Sequence, residues 1–475
     1  MGQGDGEQDG GAGSAARRAA AVRAAVRQGI VTAHRPVVGL LDVRGIREAA
    51  QALRAAFAET AAGTGAGTGA GTDVLHAFAV KAAPLVPVLR LLADEGLGAE
   101  VASPGELALA RAAGVPPGRT VLDSPAKTTA ELREALASGI AVNADSREEL
   151  ARLDVLLAGR PSASPIGLRV NPQVGGGTIG ALSTATATSK FGVALRDEGA
   201  RAWLLRAYAE RPWLTRIHAH VGSQGCPLEL MAAGVREIHG LAEEVNRARR
   251  AAGGGRQVDT IDVGGGLPVN FASDEATPTH ADYARVLAAA VPGLFAGDYR
   301  LVTEFGRSLL AKSGTILARV EYTKSAGGRR IAVTHAGAQV AVRTVFAPEA
   351  WPLRVAVFDA EGRAKEADPL PQDVAGPCCF AGDLAAANRL LPRIDAGDHV
   401  ALLDTGAYYF AHHYAYNTLP RPGVYGYAVH QQDAPPRESS RQGVRFATVR
   451  PPQTLDELVA ESGGGAHAAD LSALR

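Results

Sequence analysis

Cysteine is scarce in this chain, and neither sign of charge predominates. Cys226, Cys378 and Cys379 are the three cysteines among 475 residues. An odd, sparse set excludes a disulfide framework and fits a reducing cytoplasm. No CxxC or HExxH spacing occurs, so no metal site is expected. Lys+Arg 49 balance Asp+Glu 49. That balance leaves no electrostatic footprint for nucleic acid or an anionic membrane. No run approaches the ~18 apolar residues of a transmembrane helix. The opening MGQGDGEQDGGAGSAARRAAAVRAAVRQG lacks the apolar core of a secretory signal. Residues 1–34 therefore read as a disordered or helical extension, a tail leading into a surface helix. The glycine tetrads at 63–72 follow no strand, so they read as flexible linker and not as a phosphate loop.

What is present has a rhythm. Short β-type runs recur at VLHAFAVK (74–81), GAEVAS (98–103), TVLDSP (120–125) and AVNADS (141–146). They continue at PIGLRVNP (165–172), RIHAHVGS (216–223), TIDVGGG (260–266) and RLVTEFGR (300–307). Helical patterns with Ser, Pro or Asp at the start and Gly at the stop fill the intervals. Eight strands alternating with helices predict an α/β fold, a closed parallel (β/α)8 barrel. The segment VVGLLD (37–42) precedes the first barrel strand and is expected to pair with it. After residue 312 the texture turns β-branched and turn-rich, with QVAVRTVF among the strand-like runs. The expected layout is a barrel over 35–312 with a leading strand, a C-terminal β-sandwich or β-barrel domain over 313–460 and a flexible tail over 461–475.

Function in such barrels gathers at the carboxyl ends of the strands. Lys81, Ser103, Arg169, Asn171, His220, Ser223, Gly264 to Gly266, Glu304 and Arg307 all fall there. An apolar strand that delivers one ammonium to its tip invites a covalent or ion-paired use. Three glycines after a strand let backbone N–H groups approach an anion, and Arg307 adds a charged fork. Glu304, between LVT and Phe305, needs a cation or a proton. An amine, an anion cradle, an imidazole and a buried carboxylate together suit pyridoxal 5′-phosphate.

HAFAVKAA resembles the YAVKAN-type lysine motif of the fold-type III pyridoxal-phosphate decarboxylases, the family of diaminopimelate and ornithine decarboxylases. GAEVASPGEL, SPAKTTAEL, NADSREEL, LRVNP, SKFGV, HAHVGSQ, IDVGGGLPV, EFGRSLLAKSG, GPCCFAGD and DTGAY follow in that family's order, over roughly residues 35–430. The resemblance implies that Lys81 holds the cofactor and that His220 stacks on its ring. It implies phosphate contacts from Ser223, Gly264, Gly265, Gly266, Arg307 and Tyr408, with Arg169 and Gly306 also in the cofactor site. Glu304 would pair with the pyridine nitrogen. It further implies a homodimer with shared active sites, in which Cys379 reaches the partner's site as a proton donor.

Departures from the family lie where the far end of the substrate would be read. Phe380 follows the cysteine where a family member has glutamate or aspartate. RTVFA keeps Arg343 but sets Ala347 where the family has tyrosine, and His412 and His413 replace small residues. An apolar Phe380 leaves an ammonium unpaired, at a cost of several kcal/mol. The expected activity is thus a decarboxylase of an amino acid or amino-acid conjugate in a specialised pathway. Arg307, Arg343, Phe380, Tyr408, His412 and His413 are its candidate substrate contacts. Alternatives are a diaminopimelate decarboxylase making L-lysine, a racemase or epimerase of the same fold, and a non-catalytic relative.

Overall fold

The computed structural model describes residues 9–63, 72–159, 162–430, 443–465 and 471–473. Most of the glycine linker at 63–72 and part of the 461–475 tail lie outside the described residues. The chain folds as two compact units. The first takes residues 46–270 and 276–310; the second takes 1–45, 271–275 and 311–475.

Strand β1 (Val37–Asp42) lies in the second unit. The first unit then runs β2 (Val74–Ala79), β3 (Gly98–Val101), β4 (Thr120–Leu122) and β5 (Ala141–Ala144). It continues with β6 (Ile166–Asn171), a two-residue β7 (Val193–Ala194), β8 (Leu214–His218), β9 (Thr260–Asp262) and β10 (Arg300–Thr303). Parallel ladders join β2 through β6, then β8, β9 and β10, and the β2–β10 pairing closes the ring of eight; β7 pairs onto β6.

These strands are buried along nearly their whole length, one face toward the barrel interior and one toward the helices. The helices start where the sequence supplies caps. Ser103 accepts from the Glu106 amide, and Thr128 with Glu131 forms a capping box. Gly139, at φ 72°, ends the Thr129–Ser138 helix in the left-handed region that glycine enters cheaply. Ser103, expected at the functional rim, is thus spent on a helix cap. Beside the last strand, Phe305 is 1 % exposed and packs edge-on against His280 and Tyr283, with ring centroids 5.2 and 5.8 Å away. Burying such a ring contributes about 2–3 kcal/mol and fixes the backbone that carries Glu304.

In the second unit β11 (Gly314–Ala326), β12 (Arg329–Thr334), β13 (Val355–Phe358) and β14 (Leu370–Ala375) come first. Then come β15 (Leu384–Leu391), β16 (His399–Leu403), β17 (Val424–His430) and β18 (Gly443–Arg450). The sheet order is β15-β14-β12-β11-β1-β17-β18, with β16 on β11 and β13 on β16.

Three expectations are corrected here. First, β1 does not pair with β2; it lies between β11, antiparallel, and β17, parallel. The reason is closure: β3 and β10 already occupy both edges of β2, and a closed barrel has no edge to offer. Second, the Asp9–Arg27 helix is not a surface helix: Ala21, Val22, Ala24 and Ala25 are 0 % exposed and pack with Val38, Leu40, Leu317 and Phe358. Alanine carries this helix by propensity and lets its backbone approach the sheet closely. Third, most of the QVAVRTVF run is helical, within Ala338–Phe346. The Asp383 carboxylate accepts from the Ala338 amide at 2.6 Å and from the Cys378 amide at 2.7 Å, stabilising the helix start against the strand preference of its valines.

Candidate active site

Three layers of polar side chains rise through the barrel interior. Lowest is Arg216, whose Nη2 lies 3.3 Å from Asp262 Oδ2, which also accepts from Asn143 at 3.0 Å. Above it, His218 sits between Asp123 and Glu304, with its nitrogens 3.5 and 3.6 Å from their carboxylate oxygens. At the rim are Lys81, His220, Ser223 and the three glycines. His218 and His220 are two apart on one chain, so the strand's alternation turns both inward.

Lys81 follows β2 and donates to Glu100 Oε2 at 2.7 Å. Glu100 is fully buried while the lysine side chain is 42 % exposed, so the pair joins a buried acid to an accessible amine. Burial raises the Glu100 carboxyl; Lys81 pulls it back down and Asp123 pushes it further up. Glu304 is 2 % exposed, and neither carboxylate oxygen has a hydrogen-bond partner. Burial first, then the carboxylates of Asp262, Asp123 and Glu100, push its carboxyl well above the usual range. Burial also works on Asp123, yet His218 and Arg169 hold it well below that range. His220 is held well below its ordinary value by burial, Arg169 and Lys81. It is neutral, and its Nδ1 accepts the Gly265 amide at 3.2 Å.

The glycines are required by close approach. A Cβ on Gly265 would collide with the Glu304 carbonyl oxygen, and one on Gly266, at φ 99°, with the Gly222 carbonyl oxygen. Gln224 ties this loop to the His220–Ser223 loop, donating to Val269 O at 2.8 Å and accepting from Val269 N at 2.9 Å. The Gly264 amide is taken by Asp262 Oδ1 at 3.1 Å. Gly306 lets the chain pass the end of β2, where a Cβ would stand 2.9 Å from Ala82 Cβ. Arg307 follows it, buried, at the start of the Arg307–Leu310 helix. Arg169 lies 3.5 Å from Asp123 and 4.3 Å over the Phe191 ring. Asn171, by contrast, serves its own loop, donating to Thr186 O at 2.9 Å.

Within the second unit the remaining candidates form their own cluster. The Arg343 guanidinium lies 4.8 Å over the Tyr408 ring and 5.1 Å over Trp351, with His412 Nε2 3.5 Å from its Nη2. Tyr408 holds φ 71°, a left-handed backbone that costs a non-glycine residue about 1–2 kcal/mol and is typical of functional sites. Phe380 stacks on Phe346 at 5.5 Å and 9°, with Tyr416 edge-on at 5.9 Å. Cys379 is exposed, its amide held by Asn417 Oδ1 at 2.7 Å, whereas the buried Cys378 thiol is raised to about 11 by burial. His413 is half-buried, its imidazole lowered by burial and by Arg421.

The barrel residues fit pyridoxal phosphate on physical grounds. An orphaned buried carboxylate awaits a cationic N–H, and an accessible amine stands at the rim beside a neutral imidazole and a glycine turn packed too closely for any Cβ. Reading the sequence missed Glu100, Asp123, Asp145, His218 and Gln224. Glu100 carried the same signal as Glu304, an acid inside an apolar run. His218 was hidden by its more prominent neighbour His220. Among the described residues, His218, His220 and Glu304 are the group whose potential metal-ligand atoms lie within 4.8 Å of one another.

Comparison with known proteins agrees with this reading. The family described as "Pyridoxal-dependent decarboxylase, pyridoxal binding domain" matches residues 56–311. Diaminopimelate decarboxylase of Pseudomonas aeruginosa is 35% identical over 348 residues, 73% of this chain and 80% of the relative. The Aquifex aeolicus diaminopimelate decarboxylase is 31% identical over 350 residues, 74% of this chain and 80% of the relative. Among solved structures, diaminopimelate decarboxylase from Helicobacter pylori complexed with L-lysine superposes with a TM-score of 0.76 at 25% identity, covering 92% of this chain and 99% of that one.

Proposed function

This chain belongs to the pyridoxal-dependent decarboxylase family, and from that premise we propose that it removes an α-carboxylate from meso-diaminopimelate to give L-lysine. Carboxy-lyase chemistry and the pyridoxal phosphate cofactor come with the family. The substrate is our reading. It rests on the 35% identity to a diaminopimelate decarboxylase across 73% of the chain. It reverses the order expected from the sequence, where a specialised substrate came first.

When bound, pyridoxal phosphate supplies a sink for the electron pair left as carbon dioxide departs. The chain's residues do the rest. Lys81 Nζ would hold the cofactor covalently. Glu304 would accept the ring N–H and keep the ring cationic, which favours decarboxylation over racemisation. Neutral His220 would pack against the ring with no charge of its own to compete. Ser223, Gly266 and Arg307 would bind the phosphate, the Gly264 and Gly265 amides being already given to Asp262 Oδ1 and His220 Nδ1. Arg169 orders the acids beneath, and Gly306 gives room at the end of β2. In a homodimer with shared sites, Cys379 Sγ returns a proton to the substrate carbon. The three free cysteines accord with a cytoplasmic setting.

A second reading is favoured by one observation. Phe380, stacked on Phe346, offers no charge to a distal ammonium. That suits an amino acid bearing a carboxylate or a conjugate at its far end, with Arg343, His412 and His413 as readers. The deciding experiment scores carbon dioxide release from meso-diaminopimelate, ornithine and amino-acid conjugates. Lysine formed from meso-diaminopimelate at a rate above all others upholds the first reading. Turnover of a conjugate with diaminopimelate inert replaces it with the second.

A further inference from the structure

His218 is the residue at the barrel's centre that the chemistry above leaves without a task. Its side chain is 0% exposed. Nδ1 lies 3.5 Å from Asp123 Oδ1, and Nε2 lies 3.6 Å from Glu304 Oε2. Neither ring nitrogen has a hydrogen-bond partner, and neither do Asp123 Oδ1 and the two Glu304 oxygens. Buried polar atoms left unmatched in a row are costly unless something is to complete them. A neutral imidazole carries one N–H, so it serves one of its two acids at a time; an imidazolium serves both.

The surroundings decide which acid is served. Arg169 stands on the Asp123 side. Asp262 on β9, Asp123 just past β4 and Glu100 on β3 bear on Glu304, and His220 lies 3.8 Å from it. Arg216, below, is paired with Asp262. Asp123 is thus the ionised acid, held low against its burial by His218 and Arg169. Glu304 is the protonated one, held high by burial and its fellow carboxylates. A neutral imidazole placed between them would turn its N–H to Asp123 and the lone pair on Nε2 to the Glu304 hydroxyl.

We propose that His218 is a positioning residue that banks the Glu304 proton: when a pyridinium N–H arrives at Glu304, the O–H proton passes to His218 Nε2. Glu304 becomes a carboxylate facing the cation, and His218 an imidazolium between two carboxylates. One O–H bond breaks, one N–H bond forms, and no proton reaches solvent. The assignment rests on the barrel being the pyridoxal phosphate pocket.

The test counts protons, not turnover. Apoprotein is titrated by calorimetry with 4′-deoxypyridoxine 5′-phosphate, which has the ring and phosphate but no aldehyde, in buffers of different ionisation enthalpy. His218→Gln and Asp123→Asn are each expected to release about one proton more per bound probe than the wild type at neutral pH. A merely structural role for His218 does not move that difference, and equal counts overturn the proposal. Wild-type protein labelled with nitrogen-15 in its histidines gives the same answer without a variant. One imidazole should pass to the doubly protonated pattern on binding, and its failure to do so also overturns the proposal. A wild-type apoprotein that does not bind the probe overturns the pocket reading itself.

Discussion

Replacing Glu100 with glutamine should let Lys81 capture its cofactor at lower pH. The ammonium of Lys81 is useless as a nucleophile; only the free amine attacks an aldehyde. Glu100 Oε2, 2.7 Å away, favours the ammonium. Two unit charges at that distance attract by about 1.5 kcal/mol in water and about 6 kcal/mol at an effective dielectric of about 20. Glu100 is fully buried but Lys81 is 42% exposed, so the site lies between these limits. A middle figure of about 3 kcal/mol corresponds to about two pH units. The sign is fixed: removing the carboxylate removes the stabilisation of the charged amine. The pH midpoint of cofactor capture should therefore fall by about one to two units, the lower bound allowing for the burial that pushes the Glu100 carboxyl upward. Stopped-flow growth of the visible cofactor band, measured on apoprotein across pH, reads that midpoint. An unchanged or higher midpoint refutes the reasoning.

Gly266→Ala drives a Cβ into the Gly222 carbonyl at a positive φ, so urea unfolding of the apoprotein should show a loss of about 1–3 kcal/mol together with weaker cofactor binding. Phe380→Glu puts a carboxylate beside Cys379 and should raise kcat/KM for meso-diaminopimelate about tenfold or more, an assay of lysine production being the check. In the second unit, Asp274 is lowered to about 2: burial opposes this, but Arg18 and Arg354 outweigh it. Its folded value lies below the unfolded one, so its stabilisation is complete above the ordinary aspartate range and is lost as pH falls toward 2. Arg354→Ala should accordingly shift acid unfolding, followed by circular dichroism, to higher pH.

The barrel was legible because eight short strand-like runs alternated with helical patterns, several of which carried their own cap and stop. Lys81 and Glu304 stood out as charges that apolar strands would not otherwise carry. Less visible was what those charges meet. Glu100 and Lys81 are 19 residues apart and meet through the β2–β3 ladder, whereas Asp123, just past β4, and His218, on β8, meet only across the closed ring. The pairing of β1 depended on the absence of a free barrel edge, which no local pattern encodes. The Ala338–Phe346 helix was hidden by valines, its decisive cap coming from Asp383, far along the chain.

The placement of β1 has a consequence for biosynthesis. Its two ladder partners start at Gly314 and Val424, so a strand made early in translation waits for most of the polypeptide to emerge. At roughly 5–20 residues per second that delay is on the order of tens of seconds. Until then β1 and the alanine-rich helix before it lack the sheet on which they pack. A chain cut short before Gly314 would hold all eight barrel strands while β1 still lacked both of its ladder partners.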